Sequence, residues 1–158
     1  MIAIKLVGSL LILSAGAFAG IGCVRHEKKK LNVLDAWIEL LSLIRGQIDL
    51  YLMPIEEILS RADRALLARL GNRAPPHTLQ GLLATSRADL DEETVRRLSL
   101  WIKDCGGSYR DEALKRCDDM LAALQKQRET IFSALPARIK LILALPLCLS
   151  LGTAILLW

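Results

Sequence analysis

Hydrophobic positions follow three regimes along the chain. About nineteen residues without a charge run from Leu6 to Val24, and roughly eighteen more run from Leu141 to Trp158. Between them, apolar residues recur at steps of three and four among many charges. At about 1.5 Å of rise per helical residue, each uncharged run nearly reaches the roughly 30 Å hydrocarbon thickness of a bilayer. The pattern predicts an all-α chain in three parts: a transmembrane helix over 1–24, a helical bundle over 25–140 and a second transmembrane helix over 141–158. Pro146 is compatible with a kinked membrane helix, and Trp158 lies where an aromatic would anchor in the far headgroup region.

Within the middle part, Leu34, Trp37, Ile38, Leu41, Ile44, Ile48 and Tyr51 share one helix face. Asp35, Glu39, Ser42, Arg45 and Asp49 lie opposite, as in one arm of an antiparallel helical hairpin. Met53-Pro54 interrupts the pattern, because proline is tolerated in the first turn of a helix and not inside it. Tyr51, Pro54 and Glu57 therefore bracket an inter-helix turn. A second helix from Pro54 would bury Ile55, Ile58, Leu59, Ala62, Leu66 and Leu70, ending at a Gly71-Asn72 cap. Arg73 to His77, with Pro75-Pro76, cannot be regular helix. A short helix over 78–88 would bury Leu79, Leu82 and Leu83. Asp91 is an N-cap signal for a helix over 92–104 with Val95, Leu98 and Ile102 inward and Trp101 packed at their border. Cys105-Gly106-Gly107-Ser108 breaks that helix. A long last helix from about Tyr109 carries Leu114, Cys117, Leu121, Leu124, Arg128, Ile131 and Leu135 on one face, with Arg128 the flaw. The expectation is a bundle of five or six helices.

Composition sharpens this picture at the flanks. Hydrophobic residues make up 53% of the chain and the net charge is +4. Between Leu31 and Ala137, fourteen Lys/Arg face sixteen Asp/Glu, so the positive excess belongs to Arg25, Lys28, Lys29, Lys30, Arg138 and Lys140 beside the apolar runs. A nucleic-acid binder would carry its excess on the folded domain; here it faces anionic headgroups. Lys and Arg flanking a span are retained on the cytoplasmic side. These six residues thus orient the middle part inward, with both termini outside the cytoplasm. Two other readings of the first run are a cleaved secretory signal ending at Ala17-Phe18-Ala19 and a lipoprotein signal ending at Cys23. The charge bias after the run, rather than before it, opposes export of the downstream residues. Gly16-x-x-x-Gly20 can let two membrane helices approach closely, which leaves self-association open.

No pattern in the chain points to catalysis. His26 belongs to the basic cluster and His77 follows two prolines, so neither has metal-ligand spacing. Gly106-Gly107 is not followed by the Lys-Ser/Thr of a phosphate loop. The acidic pairs Glu56-Glu57 and Asp118-Asp119 diverge on a helix. Cys23 and Cys148 lie in the apolar ends, while Cys105 and Cys117 fit reduced thiols, with a pairing between them open. No catalytic residue, metal site or cofactor is expected. What remains is surface: Arg61 and Arg64, and Arg96 and Arg97 beside Glu92-Glu93, could dock a cytoplasmic protein or be plain solvated faces. A small membrane-anchored adaptor binding a signalling partner is one function compatible with this.

The order of an N-terminal span, a basic junction, the stretch Ile48-Asp49-Leu50-Tyr51-Leu52-Met53-Pro54-Ile55-Glu56-Glu57-Ile58 and a long last helix leading into a C-terminal span resembles the stage III sporulation protein AB family of endospore-forming bacteria. Two departures concern the last helix: Leu145-Pro146 precedes only Gly152, and Gly106-Gly107 stands where the family has Leu-Gly and an acidic residue. The resemblance implies a cytoplasmic domain similar to the helical module of type II secretion inner-membrane platform proteins. It also implies a place in the mother-cell membrane around the forespore, among other sporulation channel subunits and beside a secretion-type ATPase.

Overall fold

In a computed structural model, residues 2–51, 53–72, 78–104 and 110–156 are described. They contain six α-helices and no strand: α1 (Ile2–Tyr51), α2 (Ile55–Arg61), α3 (Arg64–Arg69), α4 (Leu79–Ser86), α5 (Glu92–Asp104) and α6 (Arg110–Leu156), with a 3-10 turn over Arg87–Asp89. The predicted features at Leu52, Pro75-Pro76, His77, Cys105 to Tyr109 and Trp158 lie outside the described residues. Two compact units are present, Met1–Lys29 with Ile131–Trp158, and Lys30–Thr130.

The second unit is built around α1. Val33, Leu34, Ala36, Trp37, Leu40, Leu41 and Ile44 are all buried. This face is wider than the stripe expected from spacing, whereas Ile38 and Ile48 are half-buried and Tyr51 is 67% exposed. The reason is that α1 is covered from several sides. The Trp37 indole Nε1 donates to Ser86 Oγ at the end of α4, 3.0 Å away, and Ser86 in turn donates to the Leu82 carbonyl at 3.0 Å. This chain of bonds ends on a backbone acceptor, so the polar atom of the largest core side chain is satisfied without water. An unpaired indole at that depth would cost about 1–3 kcal/mol. From α3, Arg69 reaches the other flank, donating to Asn32 Oδ1 at 3.1 Å and Glu39 Oε2 at 2.7 Å.

The single helix expected after Pro54 is two. Ala62 is extended at ψ 146°, and Asp63 caps α3 by accepting from Ala65 N at 3.0 Å. An aspartate competing for the backbone in this way favours a new start over continuation. The cap at the far end is as the sequence suggests. Gly71 has φ +87°, Gly71 N bonds the Ala68 carbonyl and Asn72 N bonds the Leu67 carbonyl at 2.9 Å. These are the two bonds of a Schellman motif. Downstream, Thr78 caps α4 through Gly81 N, and Asp91 caps α5 through Thr94 N. Leu98 and Trp101 are buried while Val95 and Ile102 are half-buried, so the inward face of α5 is turned slightly toward Thr94 and Trp101.

In the first unit the N-terminal part of α1 lies antiparallel to the C-terminal part of α6. A Cβ placed on Gly16 would stand 2.9 Å from Ser150 Oγ and 3.0 Å from the Pro146 carbonyl oxygen; one on Gly20 would stand 3.2 Å from Leu143 Cδ2. Gly20 and Ser150 are buried in this contact. The Gly16-x-x-x-Gly20 spacing therefore serves a close approach within one chain. Helix α6 continues through Pro136 and Pro146. Among the described residues, one helix is long and apolar enough to cross a membrane: α6, with an 18-residue window of mean hydropathy 1.7, of which 6% is buried. A core helix of a soluble domain would be mostly covered, and this window is not. The run expected to form the first span is helical, and most of its side chains before Ser14 lie outside the described residues.

These glycines can be told apart by substitution. Replacing a helical glycine with alanine normally stabilises by up to about 1 kcal/mol. Gly22→Ala, which meets nothing within 4 Å, is expected to raise the unfolding midpoint of the detergent-solubilised chain, and Gly16→Ala to lower it, as followed by circular dichroism.

Candidate interaction surfaces

The polar side of α1 in the second unit is engaged by α6. Arg45 forms a two-pronged ion pair with Asp118, Asp35 pairs with Arg128, and Arg110 donates to Asp49 Oδ1 at 2.8 Å. These partners are 73, 93 and 61 residues apart in sequence. Arg128, the misfit on the apolar face of the last helix, is thereby explained: it answers a carboxylate at the matching level of an antiparallel neighbour. Asp118, by spacing alone half of a solvated acidic pair, is a cross-helix clamp. The hydrogen bond from Arg45, then its positive charge, hold the Asp118 carboxyl below the ordinary carboxylate range, and Arg45 is correspondingly raised.

The expected surface residues fall into separate local arrangements. Tyr51 is the last residue of α1, Pro54 the N-cap of α2, and Glu57 accepts from Arg61 at 2.6 Å one turn on. Arg64 opens α3 and is exposed. On α5, Arg96 and Arg97 both donate to Glu93, at 2.8 Å each, so one carboxylate organises two guanidinium groups. Hydrogen bonds from Arg97 and then Arg96 hold the Glu93 carboxyl low. Arg61 and Arg64 are joined to Arg96 and Arg97 by no ion pair or hydrogen bond among the described residues. Arg96 lies between two shallow grooves, one of about 450 Å³ between α4 and α5 beside Arg87 and Lys103, and one of about 560 Å³ between α5 and α6 beside Leu100 and Trp101.

In the first unit, Arg25, Lys28, Arg138 and Lys140 are exposed, as is Lys29, while Lys30 is half-buried at the start of the second unit. His26 is exposed in the same cluster. Cys23 and Cys148 are exposed and Cys117 is buried, while Cys105, and with it the open pairing, lies outside the described residues. Among the described residues, no group of three or more His, Cys, Asp or Glu side chains could hold a metal ion.

The residues that spacing alone does not single out are the interhelical partners Asp35, Arg128, Asp118 and Arg110, together with Ser86. No local motif marks them. Only the assumption that the first and last helices of the bundle run antiparallel would set them opposite each other.

The described residues are all helical, and the last helix carries a largely uncovered apolar window long enough to cross a membrane. Residues 5–73, from α1 through α3 and its cap, match the family described as stage III sporulation protein AB. No curated protein and no solved structure matches the chain.

The Arg45–Asp118 clamp makes stability depend on acid. A carboxyl held low in the folded state adds stability above its unfolded range, about 4, that is lost as pH falls through the folded value. Asp118→Asn is therefore expected to cost stability at neutral pH and to flatten the loss as pH falls below about 4, read from urea midpoints across the acid range.

Proposed function

We propose that the chain is a non-enzymatic membrane platform subunit of a sporulation-specific, secretion-like channel between mother cell and forespore. The observation that carries the reading is the family match over residues 5–73. Around it, the apolar helix pair of the first unit supplies a membrane anchor, with two spans entering the bilayer. Arg25, Lys28, Lys29, Lys30, Arg138 and Lys140 set its orientation by the retention of basic flanks on the inner side. The second unit then stands in the cytoplasm and both termini outside it.

On this reading the second unit docks a cytoplasmic secretion-type ATPase, and other channel subunits meet the membrane part. Rigid local ion pairs suit a docking face, because a guanidinium already held by a neighbouring carboxylate loses little freedom on binding. Arg61 and Arg64 on α2 and α3, with Arg96 and Arg97 on α5, are the candidates for that face.

Two measurements test this. A periplasm-dependent reporter fused after Lys30 should stay silent and a cytoplasm-dependent one should be active; the reverse would overturn the topology. Charge reversal at Arg61 and Arg64 should reduce co-purification of the ATPase from sporulating cells about tenfold, with the circular-dichroism melt unchanged. Full recovery of the ATPase with that variant would remove this surface from the account.

A further inference from the structure

Each helix of the first unit carries an exposed apolar row that ends in a cation at helical spacing. On α6, Leu149, Leu145, Leu141 and Arg138 succeed one another at intervals of four, four and three, and the three leucines are 65%, 55% and 64% exposed. On α1, Phe18, Ile21, Arg25 and Lys28 are spaced at intervals of three, four and three, with Phe18 75% and Ile21 45% exposed. Residues three and four apart share a helix face, so each row is a continuous strip about 15 Å long with positive charge at one end.

The two strips end at the same height. Gly16 faces Pro146 and Ser150, and Gly20 faces Ile142 and Leu143. Continuing that antiparallel register five residues beyond Gly20 and Leu143 brings Arg25 level with Arg138. Arg25, Lys28, Arg138 and Lys140 are exposed and carry no ion pair among the described residues. In the second unit, by contrast, eight arginines are paired with carboxylates. Positive charge is left uncompensated where the uncovered apolar rows stop. An acidic protein would satisfy the cations and leave the rows in water. A molecule with an anionic head and an apolar tail satisfies both.

We propose that these strips are binding sites for an anionic glycerophospholipid, its acyl chain along Phe18-Ile21 or Leu149-Leu145-Leu141 and its headgroup phosphate held by Arg25 and Lys28 or by Arg138. The inference rests on the proposed membrane placement of the helix pair and adds to it a selectivity for headgroup charge. A cation near a membrane surface contributes about 1 kcal/mol toward anionic lipid, which is about a five-fold change in affinity for each charge removed.

The test uses the full chain in mild detergent, exposed to phosphatidylglycerol or phosphatidylcholine in mixed micelles, with retained lipid measured by mass spectrometry after gel filtration. The intact chain should retain phosphatidylglycerol in clear preference. Arg25→Gln, Lys28→Gln and Arg138→Gln together should abolish the preference, and Arg25→Lys with Arg138→Lys should keep it. Soluble glycerol phosphate should not compete. Equal retention of both lipids by the intact chain, or an unchanged preference in the triple variant, overturns the site while leaving the membrane placement intact. Retention of neither lipid overturns the membrane placement as well. Competition by glycerol phosphate at equal concentration reduces the cations at the strip ends to a general anion site and overturns the lipid assignment. The intact-chain comparison and the lysine variant decide the matter even if the triple variant does not fold.

Discussion

The antiparallel pairing of α1 with α6 across the bundle is the constraint on which the second unit depends. Trp37, Leu40, Leu41 and Ile44 on α1 and Cys117, Leu121 and Leu124 on α6 are fully or nearly fully buried. Large side chains buried in this way contribute about 1.5–3 kcal/mol each. Apolar contact alone, however, allows one helix to slide past another by a turn. The pairs Asp35–Arg128, Arg45–Asp118 and Asp49–Arg110 fix the register, since a slip of one turn would break all three. Their exposure keeps their individual energies small, and their value is in excluding alternatives.

The short helices depend on that pairing. Helices of six to eight residues do not persist alone in water. Here α2, α3 and α4 are each begun by Pro54, Asp63 or Thr78 and each buries at least two apolar residues. Ser86, at the end of α4, accepts from Trp37, and Arg69, at the end of α3, clasps Asn32 and Glu39. What remains outward carries the two proposals: a docking face on the bundle and lipid-binding strips on the helix pair of the first unit.

Periodicity and caps make most of the architecture legible. Asp91, Thr78 and Gly71 mark helix ends, and the leucines of α4 and α6 fall on the right faces, because these signals act within a turn or two of chain. The break at Ala62 escapes such a reading, since Asp63 is equally at home inside an exposed helix and only its capping bond decides. The width of the buried face on α1 escapes it too, because it reflects coverage from α3, α4 and α6 together. Arg128 looks like a flaw in the sequence for the same reason: its partner lies 93 residues away. The Gly16-x-x-x-Gly20 spacing is legible as a close approach, though not as one made by the chain's own last helix. The functional class comes from the Tyr51 to Glu57 region, which lies inside the family match, and not from any catalytic pattern.

The register of α1 against α6 is the claim to test first, by exchanging the charges of one pair. Asp35→Arg and Arg128→Asp alone should each lower the urea midpoint of the full chain, since each sets like charges face to face. The double exchange should recover most of the loss. A double variant as unstable as the two single losses combined would show that these residues do not meet, and the pairing would have to be abandoned.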